Sequence, residues 1–324
     1  MGSIAGMLFF LVCLFYFNIP EEFMYTPFIM KLGNKAFYLL FGMTAVLYAL
    51  VKKAPWKDGL FLSSLALNLF IIVTTVLNKG QTLTALNNYL ICGTGTVLLF
   101  SLFFEIDVKK FAWTAFAYYF LLVILNNITA IVYLNEPVGY VTWVSRRPRG
   151  PLDMAVLCGN YNLTFIYVAI AYVLGVFVCE KYCRWLWPLN LLMLGFSVYT
   201  AQKMESDTAM IVFVLMGLTT FLSLLAKRFR AAEWIPKILN DYVLGVLNIL
   251  AAVAFYMASV GKFTLPGGID TSMHGRVRIW QFALESFFRK PLLGNGLQVP
   301  IEPSLTVSHF NSVYLEMPYR SGII

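Results

Sequence analysis

Leu39-Leu-Phe-Gly-Met-Thr-Ala-Val-Leu-Tyr-Ala-Leu-Val51 carries no charge, and wound as a helix it is apolar on every side. Ile211-Val-Phe-Val-Leu-Met-Gly-Leu-Thr-Thr-Phe-Leu-Ser-Leu-Leu225 repeats the pattern later in the chain. A membrane barrel strand would alternate apolar and polar positions, and these runs do not. In hydrocarbon every backbone N–H needs an internal partner, so such runs are helices.

Working outward, the whole chain of 324 residues is 60% hydrophobic and 12% charged, with mean hydropathy +0.74. Soluble domains carry about 25% charge. Nearly uncharged stretches of the length that crosses ~30 Å of hydrocarbon recur along the chain. They predict helices near 3–18, 36–52, 59–78, 85–104, 111–133, 161–180, 184–200, 207–226 and 240–259, and the start of a tenth near 311–318. The first lacks the basic flank and small-residue cleavage site of a signal peptide, so it reads as a span. The expected fold class is all-α: a polytopic membrane helical bundle of about nine to ten transmembrane helices. Its domains are a transmembrane bundle over 1–260 with an outer loop 134–160, an extracytoplasmic loop 261–310 carrying an amphipathic helix 274–290, and the start of a helix over 311–324. That last helix is too short to cross, so the sequence is expected to be truncated.

Orientation follows from Lys and Arg in the loops. One set holds Lys52, Lys53, Lys57, Lys109, Lys110, Lys181, Arg184, Lys227, Arg228, Arg230 and Lys237. The other holds Lys31, Lys35, Lys79, Arg146, Arg147, Arg149 and Lys203, and its three arginines cluster in a long loop where the rule weakens. The first set is therefore cytoplasmic, as is the N-terminus, and the long loops lie outside. The net charge of +8 then belongs to membrane topology, and nucleic acid is not an expected partner. Cys13, Cys92, Cys158, Cys179 and Cys183 form no CxxC pair, which gives no zinc or iron–sulfur pattern.

The chemistry-bearing residues gather in the outer loops. Over Arg276–Lys290 helical spacing puts Arg276, Trp280, Ala283, Leu284 and Phe287 on one face. Arg278, Gln281, Glu285 and Arg289 share the other, where Arg278 can pair with Glu285. Arg276 opens the apolar face, and a guanidinium there calls for an anion, with a phosphate suited to its planar fork. The plainer alternative is an interfacial helix whose arginine reaches a lipid headgroup. Pro291 and Gly294–Gly296 end the helix and turn the chain. His309 follows in an extended stretch, either as a structural residue or as a group that accepts a hydroxyl proton. Asn311 either caps the tenth helix or meets substrate. Arg146, Arg147 and Arg149 form an anion patch or a solvated basic loop. Asn160 and Asn162 cap the sixth helix or hydrogen-bond a sugar.

Gly275-Arg276-x3-Trp280 followed by Pro291-Leu-Leu-Gly294-x-Gly296 resembles the "GR…W…PLxGxG" signature of O-antigen ligases and Wzy-type polysaccharide polymerases. His309 to Gly322 resembles that family's "HN…YLE…GI" segment, and Asn160-Tyr161-Asn162 its "GNxN" element. The likeness covers about 145–324. It implies a metal-independent bacterial membrane glycosyltransferase with a GT-C-like bundle and no cofactor. Its place would be the cytoplasmic membrane, its donor an undecaprenyl-diphosphate-linked oligosaccharide, and its partners membrane lipid and other polysaccharide-assembly proteins. Arg276 and His309 would be catalytic, the first holding the diphosphate and the second beside the reacting centre. Arg146, Arg147, Arg149, Asn160, Asn162, Lys203 and Asn311 would bind substrate. The chain departs from the pattern in having Phe310 between His309 and Asn311. It also has Asp207 where many members have arginine, a cation that Lys203, Arg147 or Arg149 would replace. The expected function is a polymerase of capsule, exopolysaccharide or O-antigen, with a ligase or a non-enzymatic glycolipid transporter as alternatives. Span interiors nearly free of charge speak against translocation.

Overall fold

The computed structural model describes residues 4–20, 23, 27–52, 57–132, 155–204, 206–228, 276–292 and 294–296. Among them the protein is helical, apart from one two-stranded turn. The helices are α1 (Ile4–Phe17), α2 (Pro27–Val51), α3 (Gly59–Leu77), α4 (Thr82–Ala85), α5 (Gly95–Val132), α6 (Tyr161–Lys181), α7 (Trp187–Lys203), α8 (Asp207–Arg228) and α9 (Arg276–Arg289). A π-helical stretch, Leu86–Thr94, joins α4 to α5. Strands β1 (Ala155–Val156) and β2 (Gly159–Asn160) pair antiparallel, Ala155 opposite Asn160. The expected helices at 240–259 and 311–318 lie outside the described residues.

Among the described residues two helical stretches are long and apolar enough to cross a membrane, Gly59–Leu77 and the run Thr82–Val132. The second is not straight. Asp107 leaves helical geometry at φ −159°, ψ 86°, and the Phe103 and Phe111 ring centroids stand 4.6 Å apart. Eight residues of straight helix would separate them by about 12 Å. The chain therefore doubles back at Asp107, whose Oδ1 accepts the Lys110 N–H at 3.0 Å and so starts the second half as an N-cap does. This corner falls where the sequence reading places the boundary between its fourth and fifth spans.

Helix α2 begins at Pro27, earlier than the apolar run predicts. Lys31 and Lys35 hide its first turns from a hydropathy reading, and proline suits a first helical turn. Pro188 stands in the first turn of α7 for the same reason.

The chain forms two compact units. The first takes residues up to Phe61 and then Gly95–Leu225. In the second, the described residues are 62–94, 226–228, 276–292 and 294–296. In the first unit Phe10 of α1 sits edge-on against Phe103 and Phe111, each 5.2 Å away, at the corner of α5. Ala112 and Phe116 of α5 meet Val178 of α6, with Leu174, Phe177 and Leu186 around them. Asn127 Nδ2 donates to Ser197 Oγ at 2.9 Å, tying α5 to α7. The Tyr172 hydroxyl and Thr220 Oγ1 are 2.8 Å apart, tying α6 to α8. In the second unit Asn68 Nδ2 donates to Thr94 Oγ1 at 2.9 Å, tying α3 to the π-helical stretch.

The distribution of polarity is inverted relative to a water-soluble fold. Asn126, Asn127, Asn190, Ser197 and Thr200 are buried, while Ile4, Leu50, Val173 and Leu192 are each more than half exposed. Water penalises such an apolar exterior, and small or amide side chains inside are what helices use to associate in lipid.

Candidate functional site

Of the sequence-derived site residues, Arg276, Asn160, Asn162 and Lys203 fall among the described residues. Arg146, Arg147, Arg149, His309 and Asn311 lie outside them. Arg276 is the first residue of α9 and belongs to the second unit. Asn160, Asn162 and Lys203 belong to the first.

Asn160 closes the β1–β2 turn and stands immediately before α6; Asn162 is in that helix's first turn. The turn is pinned from below. Asn126 Oδ1, buried in α5, accepts the Cys158 N–H at 2.9 Å. Nothing in the local sequence announces this bond, because its partners are far apart along the chain. Cys158 beside it is no nucleophile: burial pushes its thiol up to about 12, so thiolate is negligible at neutral pH. All five cysteines are free thiols. Among the described residues no three of His, Cys, Asp and Glu come together as a metal site.

Lys203 is the last residue of α7, and its Nζ lies 5.7 Å from the Tyr199 ring centroid. It is exposed, and a cation over an aromatic face remains available to an anion. Asp207 is the first residue of α8.

Helix α9 has the amphipathic character its spacing predicts. Ala283 is buried, whereas Glu285 and Arg289 are exposed and form an ion pair at 4.0 Å. Glu285 therefore meets Arg289, one turn on. Phe288 is 65% exposed, so the wet face is not purely polar.

The C-terminal end of α9 is seated on the end of α3, a feature the sequence reading missed. Helix α3 closes with Gly80 N–H to Thr75 O at 2.8 Å and Lys79 N–H to Val76 O at 3.0 Å, with Lys79 at φ 54°. That is a Schellman turn, with Asn78 as the C-cap residue. Asn78 Nδ2 donates to Thr74 O at 2.8 Å and to Gly294 O at 3.2 Å. Its Oδ1 accepts from the Lys290 ammonium, which sits at the negative end of the α3 dipole. Gly294 (φ 62°) and Gly296 (φ 65°) both adopt left-handed backbone. A Cβ on Gly296 would collide with the Thr75 backbone and stand 2.9 Å from Thr74 C. Between the two glycines Asn295 Nδ2 reaches back to Ser286 O at 3.2 Å.

An open apolar groove of about 720 Å³ runs between α1 and α2, lined by Gly6, Phe9, Tyr38, Gly42, Val46 and Phe103 among others. It holds no ionisable carboxylate, amine or imidazole and suits a hydrocarbon chain rather than chemistry.

No protein-family model, no curated protein and no solved structure matches the chain.

Proposed function

We propose that this chain is a membrane glycosyltransferase of GT-C-like fold, with nine to ten spans, that polymerises a surface polysaccharide. Its donor is an undecaprenyl-diphosphate-linked oligosaccharide at the outer face of the bacterial cytoplasmic membrane. The observation that carries the reading is the attachment of α9, the helix that opens with Arg276, to the end of α3, a helix apolar enough to span. In this reading the attached helix carries its first residue along the membrane surface, where a lipid-borne diphosphate meets water.

Three same-end contacts agree with the orientation drawn from Lys and Arg. Lys52 pairs with Glu105, and Lys109 lies 5.9 Å from the Tyr182 ring; both join loops assigned to the cytoplasmic side. The Asn78–Gly294 bond joins two segments assigned to the outside. The apolar exterior and amide-rich interior support a lipid environment.

In the reaction, an acceptor sugar hydroxyl attacks the anomeric carbon of the donor glycan. The new C–O bond forms as the bond to the lipid diphosphate breaks, and the diphosphate leaves with the electron pair. Arg276 neutralises it, and His309 takes the hydroxyl proton. The basic residues Arg146, Arg147, Arg149 and Lys203 bind the diphosphate, and Asn160, Asn162 and Asn311 bind sugar.

The experiment is polymer analysis of a strain carrying Arg276→Ala. Loss of polymer by about 100-fold or more is expected, with the protein still in the membrane. Arg278→Ala is expected to be mild. Normal polymer from Arg276→Ala overturns the reading. Long chains that fail to attach to their acceptor in a deletion strain identify a ligase instead.

A further inference from the structure

Arg276 stands at one end of α9 and the contact with α3 at the other, separated by the 14 residues of the helix, about 20 Å. A helix of this length works as a lever: whatever fixes its C-terminal end sets where its first residue stands. Two forces compete for that job. Burial of an apolar face in the membrane interface would hold α9 by itself and leave it free to rotate and slide. A polar attachment would fix both its height and its direction.

The chemistry at Asn78 is specific to an amide. Its Nδ2 donates to two carbonyls, Thr74 O and Gly294 O, while its Oδ1 accepts from Lys290. A carboxylate keeps the acceptor and loses the donor, and an apolar side chain loses both. The receiving turn matches it. Gly294 and Gly296 both take left-handed backbone, and at Gly296 the chain lies so close to buried Thr74 and Thr75 that no Cβ fits. Asn295, itself buried, ties the turn back to the last turns of α9 through Ser286 O. The turn is thus joined rigidly to the helix on one side and to α3 on the other.

We propose that Asn78 is a positioning residue: through Gly294 and Lys290 it fixes α9 on the end of α3 and thereby sets the location of Arg276. The importance of that location rests on the diphosphate-binding role assigned to Arg276 above. The attachment itself does not.

The test uses the full chain in membranes with its five cysteines replaced and Arg276→Cys as a reporter, labelled by a membrane-impermeant maleimide. Asn78→Leu, which removes the amide bonds, and Gly296→Ala, which drives a Cβ into the Thr75 backbone, are each expected to change the labelling rate by about fivefold or more, the shift that loss of even one hydrogen bond produces. Asn78→Asp is expected to act in the same direction, and Lys290→Arg to leave the rate close to that of the reporter alone. Unchanged rates in both Asn78→Leu and Gly296→Ala overturn the proposal and favour a helix held by interfacial burial. Should those variants fail to accumulate, the pair Asn78→Cys with Lys290→Cys decides, because neither exchange puts a side chain on left-handed backbone. A crosslink by a short bifunctional thiol reagent supports the attachment, and its absence in a membrane-delivered chain overturns it. Neither readout involves glycan, so a normal polymer phenotype for Arg276→Ala would remove the enzyme reading and leave this one standing.

Discussion

The Tyr48 hydroxyl donates a hydrogen bond of 2.9 Å to Asp58 Oδ2, while Asp58 Oδ1 accepts the Phe61 N–H at 3.1 Å. One carboxylate thereby joins the last turn of α2 to the first turn of α3. Lys52 adds an ion pair at 3.8 Å. Burial by itself would raise the Asp58 pKa, but the Phe61 N–H, the Tyr48 hydroxyl and Lys52 together outweigh it and hold the group below its ordinary value. A depressed folded-state pKa contributes stability that is fully present above the unfolded value and is lost as pH falls through the folded one. Asp58→Ala is therefore expected to cost about 1 kcal/mol at neutral pH through the lost cap. Thermal melts of purified protein should show the difference between variant and parent shrinking as pH drops below the ordinary carboxylate range. A difference independent of pH would contradict the assignment.

The orientation can be read with single cysteines in intact cells. Lys57 and Lys79 are both exposed and flank α3. Lys79→Cys should react with an impermeant reagent added outside, and Lys57→Cys should react only after the membrane is opened. The reverse result would invert the topology and move α9 to the cytoplasmic face.

Lys79 also adopts left-handed backbone, which costs an L-residue about 1–2 kcal/mol and glycine almost nothing. Lys79→Gly is expected to raise stability by about 1 kcal/mol, measured as an increase in melting temperature in detergent. The same exchange at Lys57, outside any left-handed turn, should give no such gain.

Gly175 of α6 and Asn190 of α7 mark a close helix crossing. A Cβ at Gly175 would run into the Asn190 side chain, whose Nδ2 stands 2.8 Å from that position. Gly175→Ala must displace the Asn190 side chain or part α6 from α7 and is expected to cost about 1–3 kcal/mol. Among the described residues Asn190 Oδ1 is buried without a hydrogen-bond partner, and its Nδ2 makes a 3.3 Å bond to Tyr172 O. Asn190→Leu, similar in shape, should therefore cost less than about 1 kcal/mol. If the leucine variant proved the worse of the two, the amide would have a role the packing does not explain.

Helix positions were legible because an apolar run of spanning length has few other uses. Ile4–Phe17, Gly59–Leu77 and Tyr161–Lys181 lie within a residue or two of the predicted ranges. The amphipathic character of α9 was legible for a similar reason: Ala283 inward and Glu285 outward follow from helical spacing. What the sequence did not disclose depends on partners distant along the chain. Asn78 and Gly294 are 216 residues apart, and neither amide-plus-lysine nor Gly-Asn-Gly has a local signature for docking. The π-helical stretch Leu86–Thr94 was equally hidden, since its composition suits an ordinary helix. The pairing of Glu285 with Arg289 follows the i,i+4 spacing of a helix surface, although the sequence reading did not single it out.

The corner at Asp107 bears on the order in which the protein assembles. Phe103 and Phe111 meet across only eight residues, and their third partner, Phe10, has been synthesised long before either. Contacts so local cost little chain entropy to close. The aromatic cluster is thus expected to form while the ribosome is still translating, before α6 exists to pack against it. A chain halted after Val132 should already protect this corner from protease, giving the later helices a finished surface on which to assemble.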